Sequence, residues 1–487
     1  MKLTFWGAAQ QVTGSMYLLE VEDIKILIDC GMDIGRERGG DVSEPPFPPA
    51  YPGAVFPFDA STVSAVLLTH AHIDHSGMLP NLFREGFQGE IYATSATRDL
   101  TQILLYDSAS LHRRKLKKAS FVDDKRGKKK AEEVKAAGAT YDKNILYLEE
   151  SVDETMEYFS VAPLDKQITI ADGIKVTYVT AGHLLGAASL YIEVLEEGKE
   201  LVRVGFSGDL GRKNYPLLPD PKPFPEVDYL ICESTYGNRS HVATADPVDI
   251  MADIIQKTCV DIPGRLIIPA FSVGRTQAIL YTLNKLYTER GFDPIKVFSD
   301  SPMALLSTKV YSKYHNLLNK EAQDFYHKGK TLFDFENFEF VSDPEKSKAL
   351  SDYSEPSIII SSSGMIKGGR IEYHVKKNLE NAYATIFIVG FAPEGTLSHS
   401  LVNGLEIVKN DGKEYKVRAT IEKTDIFSGH ADQAGLKEFI NQQDAKKLRK
   451  LFFVHGDLPA MNGLRDNMAA EGYNAVMPSV GDVFELV

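Results

Sequence analysis

An α/β architecture of two or three domains is what this sequence predicts, on three observations. Its 487 residues exceed what a single hydrophobic core organises. Short runs rich in Val and Ile recur along the chain with helical patterns between them, the alternation of largely buried sheets with covering helices. The residue that follows such a run is repeatedly a histidine or a carboxylate. In α/β folds the carboxyl ends of parallel strands lie beside one another, so positions hundreds of residues apart can converge on one site.

Taken in order, Met1-Lys2-Leu3-Thr4-Phe5-Trp6-Gly7 reads as a first strand rather than a secretory leader. The run Ile24–Ile28 ends at Asp29, and the run 63–68 leads to His70. The run 175–179 comes shortly before His183, Val202–Phe206 before Asp209, the run 229–232 before Glu233 and the run 451–454 before His455. The runs 266–268 and 357–360 are further buried strands. Proline clusters at 45–57 and 216–225 break regular structure and should be loops, the second approaching a domain boundary. No repeat of fixed period is present.

Composition excludes several classes. With 43% hydrophobic and 25% charged residues the chain is neither fibrous nor disordered. No window approaches the ~18 to 20 apolar residues of a membrane span, so a cytoplasmic protein is expected. Cys30, Cys232 and Cys259 are isolated, which argues against disulfides and against a thiolate zinc knuckle, and Cys30 and Cys232 read as core thiols. A net charge of −13 argues against holding nucleic acid by bulk electrostatics, although bound divalent cations would reverse the sign locally.

The decisive segment is Thr69-His70-Ala71-His72-Ile73-Asp74-His75-Ser76-Gly77, an HxHxDH sequence directly after an apolar strand. In an extended turn His70 and His72 can point into one space, while Asp74 and His75 can aim at a neighbouring point as a helix begins. Packing gives no reason to concentrate imidazoles and a carboxylate in this way, whereas two adjacent metals do. Imidazole nitrogen with carboxylate oxygen is the ligand set of zinc, with manganese or iron as alternatives. His183 would complete one histidine set, and the Asp209 carboxylate can bridge two ions.

On these residues the sequence resembles the metallo-β-lactamase superfamily and, within it, the β-CASP nucleases. The resemblance covers nearly the whole chain. Asp29 matches the first lactamase motif, the HxHxDH cluster the second, His183 the third and Asp209 the fourth. The β-CASP signature follows in Cys232-Glu233-Ser234-Thr235-Tyr236-Gly237, Phe427-Ser428-Gly429-His430-Ala431-Asp432 and Phe453-Val454-His455-Gly456. The stretches Ile268-Pro269-Ala270-Phe271-Ser272-Val273-Gly274-Arg275 and Ser362-Ser363-Gly364-Met365-Ile366-Lys367-Gly368-Gly369-Arg370 match as well. Two departures stand out: Ser398 and His399 follow Glu394-Gly395-Thr396-Leu397 where the family commonly has Gly and Arg, and Asp457 stands near a usual Glu.

The resemblance implies a lactamase αββα sandwich, residues 1–236 and 416–487, with a Rossmann-like β-CASP domain inserted at 237–415. It implies two zinc ions per chain, one held by His70, His72 and His183, the other by Asp74, His75 and His455, with Asp209 between them. His430 would protonate a departing 3′ oxygen, Glu233 would orient that imidazole and Asp29 would fix a ligand histidine. The implied activity is hydrolysis of single-stranded RNA to 5′-phosphate and 3′-hydroxyl ends, as an endonuclease with 5′-exonuclease action also open. The histidine at 455 tilts the family reading toward RNA rather than DNA. A thioesterase or lactonase on the same core and an inactive RNA-processing scaffold are the alternatives. No membrane partner is expected, and a homodimer is one assembly open to the chain.

Two weaker signals remain. Gly274-Arg275 and the loop carrying Ser363 and Arg370 would each precede a helix, where N–H groups and guanidinium charge can hold substrate phosphates, though neither matches a P-loop. The segment 113–130 carries ten Lys or Arg and two Asp, a net of +8 that leaves −21 for the remainder. A solvated helix or insertion is the ordinary reading of such a run; a basic arm that helps seat RNA is the functional one.

Overall fold

The structure, a computed structural model, describes residues 1–33, 50, 54–125, 147–242, 245–390, 392, 394–410 and 412–487. The chain forms two compact units: Met1–Lys213, Asp220–Ser240 and His430–Val487 make the first, Asn214–Pro219 and His241–Gly429 the second.

The first unit contains two seven-stranded sheets. One is built from β1 (Lys2–Phe5), β2 (Tyr17–Val21), β3 (Ile24–Ile28), β4 (Ala65–Leu67), β5 (Glu90–Ala93) and β6 (Phe159–Val161), in that order. The other runs through β7 (Gln167–Ala171), β8 (Ile174–Thr180), β9 (Ala188–Val194), β10 (Val202–Phe206) and β11 (Tyr229–Glu233). Their side chains alternate between faces as the period of two requires. Leu19, Ile26, Ile28 and Leu67 from the first sheet share one core with Tyr178, Leu190, Val204, Phe206 and Ile231 from the second. The opposite faces are also buried. Leu18, Leu27 and Val66 pack with Leu79 and Leu82 of the helix Leu79–Arg84 and with Leu105 and Ala109 of the helix Ser95–Lys125. Leu230 and Cys232 pack beneath Leu436 and Phe439 of the helix Gln433–Ile440 and Met461 and Leu464 of the helix Leu458–Ala470. The order of layers is therefore helix, sheet, sheet, helix, and burial on both faces explains why these strands read as unbroken apolar runs.

The second unit carries a sheet of six parallel strands, in which β12 (Arg265–Pro269), β13 (Lys296–Asp300), β14 (Phe338–Phe340), β15 (Ser357–Ser361), β16 (Ala384–Ile388) and a late edge strand occur in the order β14-β13-β15-β12-β16-edge. A hairpin, β17 (Ile407–Asn410) with β18 (Lys413–Lys416), precedes that edge strand, β19 (Thr420–Lys423). Because β19 pairs with β16, the unit closes at Gly429 and not at residue 415. Residues 413–423 are short and charge-rich because they are edge strands, so they lack the buried run that marks a strand in sequence.

After this unit the chain returns to the first. The strand β20 (Lys450–Val454) pairs in parallel with β11, β21 (Ala475–Val476) pairs with β20, and β22 (Val483–Glu485) closes the first sheet against β1. Phe452 on β20 sits 5.1 Å from the ring of Phe5 on β1 and 4.9 Å from that of Phe484 on β22. All three cysteines are buried and free. The basic run continues the helix Ser95–Lys125 as far as Lys125, and residues 126–130 lie outside those described.

Candidate metal centre

Strand direction assembles the site. In the second sheet β10, β11 and β20 are mutually parallel, and β8 points the same way, since both β8 and β10 are antiparallel to β9. In the first sheet β3 and β4 are parallel. Asp29 follows β3, His70 follows β4, His183 follows β8, Asp209 follows β10, Glu233 ends β11 and His455 follows β20. Asp29 and His455 adopt left-handed φ angles of 56° and 49°, which turn the chain sharply at the strand end. Such values in non-glycine residues cluster at functional sites.

The HxHxDH turn is held from below by backbone bonds. Ser15 N–H donates to the Asp74 carbonyl at 2.8 Å, Cys30 N–H to that of His75 at 2.7 Å and Met32 N–H to that of Ile73 at 3.0 Å. Gly31 permits this approach, because a Cβ there would lie 1.8 Å from the Asp74 oxygen. A helix then starts at Ile73 with His72 in the capping position, so His70 and His72 lie before it and Asp74 and His75 within it.

Two groups of donor atoms result. In the first, His70 Nε2 is 3.1 Å from His72 Nδ1, which is 3.2 Å from His183 Nε2; Asp209 Oδ2 is 3.5 Å from the first and 3.6 Å from the last. In the second, His75 Nε2 is 3.3 Å from His455 Nε2, which is 3.5 Å from Asp74 Oδ2; Asp209 Oδ1 is 3.4 Å from His75 Nε2. Donors at ~2.0 to 2.1 Å from a tetrahedral zinc stand about 3.3 Å apart, so this spacing fits such an ion. Three imidazole nitrogens in mutual contact cannot all satisfy one another as donor and acceptor, whereas a cation satisfies them together. Among the described residues nothing donates a hydrogen bond to buried Asp209 Oδ1, which fits an oxygen that serves a cation.

The ionisation states differ between the donor sets: against burial, Asp209 and Asp29 raise the His75 imidazole well above its ordinary value, whereas His70 and His72 are held neutral. Burial pushes the His72 imidazole down to about 4 against the pull of Asp74 and Asp209, and burial with neighbouring His75 puts His70 well below its ordinary value. Neutral imidazole is the form that ligates. Burial raises the Asp74 carboxyl, but His455 and His75 outweigh it and hold the group at about 2.

Beside these sets lies His430. Its Nδ1 is 3.5 Å from Glu233 Oε1, and its ring packs against that of His183, centroids 4.4 Å apart and tilted by 46°. Burial disfavours the imidazolium, yet Glu233, then Asp209 and Asp74, raise its pKa above the ordinary value. Glu233 is itself fixed, accepting the N–H of Leu210 at 2.6 Å and of Thr235 at 3.3 Å. Asp29 accepts His75 Nδ1–H at 2.7 Å. All of these residues belong to the first unit.

Three comparisons address ancestry. The model of the metallo-beta-lactamase superfamily matches residues 10–231, that of the Beta-Casp domain 276–401, and that of the Zn-dependent metallo-hydrolase RNA specificity domain 414–478. Ribonuclease TTHA0252 of Thermus thermophilus is 32% identical over 483 residues, covering 99% of each chain. The chain belongs to the β-CASP family of the metallo-β-lactamase superfamily. It is a metal-dependent hydrolase of the nuclease class. Transcription termination factor FttA of Methanosarcina mazei is 30% identical over 467 residues, which are 94% of this chain and 67% of that protein. A crystal structure of an Enterococcus faecalis protein of unknown function aligns with TM-score 0.54 at 13% identity, covering 100% of this chain and 99% of that one, a likeness of fold alone.

In this β-CASP chain the candidate phosphate residues lie in the second unit and have different surroundings. Arg275 lies over the Phe271 ring at 4.7 Å and its Nε donates to the Phe427 carbonyl at 3.1 Å. Arg370 spends its guanidinium on buried Asp300 at 2.6 Å and on the carbonyls of Val341 and Ser342. Ser363 Oγ closes its own loop by donating to Lys367 O at 3.0 Å. Of the departures from the family pattern, Asp457 caps the helix Leu458–Ala470 by accepting the N–H of Ala460. His399 contacts Asn403 one turn on.

Reasoning from sequence missed the small polar residues that contact the candidate ligands and Glu233: Thr69, Thr235, Ser15 and Ser207. The Ser207 hydroxyl accepts the Glu233 N–H at 2.9 Å, and Ser15 Oγ is 3.5 Å from His75 Nε2. Their only signal is adjacency to a strand end or a ligand, which many small polar residues share.

Proposed function

We propose that the protein is a dinuclear zinc ribonuclease that hydrolyses single-stranded RNA to 5′-phosphate and 3′-hydroxyl ends. The observation that carries this reading is the division of Asp209, with Oδ2 against His70 and His183 and Oδ1 against His75. His70, His72 and His183 would hold one ion, Asp74, His75 and His455 the other, with Asp209 shared. Ions so held supply Lewis acidity that lowers the pKa of water and neutralises phosphate charge. The printed names of the relatives, a ribonuclease and a transcription termination factor, support RNA as the substrate class.

The protein's own groups supply the proton. His430 faces Glu233 through Nδ1, so the carboxylate orients the imidazole and favours its charged form. As a water oxygen bonds to phosphorus, releasing its proton to solvent, and the P–O3′ bond breaks, the opposite nitrogen delivers a proton to the departing 3′ oxygen and the phosphate stays on the 5′ oxygen. Glu233 cannot swing away, because two backbone N–H groups hold its carboxylate. Arg275, whose guanidinium carbon lies 4.7 Å from the Phe271 ring centre, is the candidate contact for a substrate phosphate.

Elemental analysis of purified protein should find about two zinc-class ions per chain. Metal-loaded protein should then cleave RNA labelled at the 5′ end and internally. A ladder of fragments indicates endonucleolysis, and early mononucleotides from the 5′ end indicate exonucleolysis. Full-rate hydrolysis by protein that neither contains nor rebinds metal refutes the reading.

A further inference from the structure

Two threonine hydroxyls beside the ligand histidines make hydrogen bonds whose direction is fixed by chemistry. Thr235 Oγ1 lies 3.1 Å from the carbonyl oxygen of His455 and 3.1 Å from Nδ1 of the same residue. A hydroxyl has one proton and a carbonyl oxygen only accepts. The proton therefore goes to the carbonyl, and a lone pair of Oγ1 faces the imidazole. Nδ1 must carry the hydrogen it donates back, which leaves Nε2 as the bare nitrogen.

Thr69 repeats the arrangement in the other donor set. Its Oγ1 is 2.9 Å from Asp29 Oδ2, a carboxylate oxygen that only accepts, and 3.1 Å from His70 Nδ1. The same Asp29 takes the Thr69 N–H at 2.8 Å and His75 Nδ1–H at 2.7 Å, so its orientation is settled independently. His70 Nδ1 thus carries a hydrogen, and its Nε2 is bare. His70 presents Nε2 to the other donors, 3.5 Å from Asp209 Oδ2; His455 presents Nε2 to Asp74 Oδ2 at 3.5 Å and to His75 Nε2 at 3.3 Å, while its Nδ1 lies 3.5 Å from Asp209 Oδ1, an acceptor that also favours the hydrogen on Nδ1.

We propose that Thr69 and Thr235 are positioning residues that lock the tautomer of one histidine in each donor set, Thr69 acting on His70 and Thr235 on His455. The proposal rests on the two-ion reading above and adds a device to it. An imidazole presenting N–H to the site cannot ligate, so a locked tautomer keeps the lone pair in place before a cation arrives. Valine has the shape of threonine without the hydroxyl. It would remove the hydroxyl that accepts Nδ1–H, and the preference for a bare Nε2 would weaken.

The direct test is long-range proton–nitrogen correlation on zinc-loaded protein with ¹⁵N-labelled imidazoles. Expected are protonated Nδ1 and coordinated Nε2 for both His70 and His455; coordination through Nδ1 at either overturns the assignment for its threonine. The second test measures zinc affinity by chelator competition. Thr235→Val should weaken one ion about 10-fold to 100-fold and leave the other unchanged. Thr69→Val should weaken the other ion to a similar degree, while Thr235→Ser and Thr69→Ser stay near wild type. Valine variants that bind both ions as tightly as wild type overturn the proposal. If a valine variant does not fold, the wild-type spectrum decides. A wild-type chain that holds a single ion sinks the dinuclear reading, while the tautomers in its spectrum still judge the threonines.

Discussion

At the scale of single residues the site separates groups that would hold cations from a group that would move a proton. Among the described residues Asp209 is the side chain common to both donor sets, with each oxygen facing a different side. Asp209→Ala should therefore abolish retention of both ions, measured by elemental analysis after gel filtration, and cleavage with it. Wild-type occupancy in that variant would remove Asp209 from the centre. His430 differs, because Glu233 Oε1 faces its Nδ1. His430→Ala should keep metal content and RNA binding and lower the cleavage rate by roughly 100-fold to 10,000-fold, the usual contribution of a positioned acid. RNA with a 3′-bridging sulfur at the scissile position should recover much of that loss, since a thiolate leaves without protonation. Loss of metal, or no selective recovery, would give His430 another role.

At the scale of elements, the candidate metal centre draws on strands from both sides of the second unit in the sequence. The strand β20 carries Phe452 into the core between the two sheets and His455 to the site only three residues later. Phe452→Ala should cost about 3–5 kcal/mol, the range for removing a buried Phe. Urea unfolding followed by zinc release should show the loss as an earlier midpoint; an unchanged midpoint would mean that β20 does not hold the sandwich together. In the second unit, buried Asp300 at the end of β13 accepts from His374, Ser347 and Arg370, each at 2.6 Å. Burial alone would raise this carboxyl, but the three donors hold it below its ordinary value. A carboxyl lowered in the folded state adds stability above its unfolded value, about 3.9, and that part is lost as pH falls toward the folded value. Asp300→Asn should lower the melting temperature at neutral pH and flatten its decline between about pH 5 and pH 3. An equally steep decline in the variant would exclude Asp300 as the source.

For the whole molecule, charge is the organising quantity. On the proposed reading, a chain of net −13 that acts on a polyanion would concentrate its attraction, through cations held at the donor sets and through the +8 of the segment 113–130. Changing Arg126, Lys128, Lys129 and Lys130 to Gln should weaken RNA binding and flatten its dependence on salt. Each lost phosphate contact should reduce the slope of log affinity against log salt by about 0.7 on single strands. An unchanged slope would return the segment to a solvated run with no part in binding. Among the described residues no helix is long and apolar enough to cross a membrane, in keeping with the composition.

The sequence by itself placed the candidate ligand residues in order along the chain. The ligand types stand at strand ends or in one short turn, and both features follow from local periodicity: the run before His70 is β4, the run before His455 is β20, and the helix begins at Ile73. It determined the layered α/β class for the same reason, since strands covered on both faces must be apolar throughout. It did not fix the end of the second unit, where β19 is a charge-rich edge strand recognised only by pairing with β16. Nor could it tell that Arg370 serves Asp300, 70 positions earlier, or that Thr235 serves His455, 220 positions later. Those assignments are hydrogen bonds through space. Serine, threonine and arginine carry the same donors wherever they occur, and only the folded neighbourhood decides which acceptor lies within 3 Å or so of them.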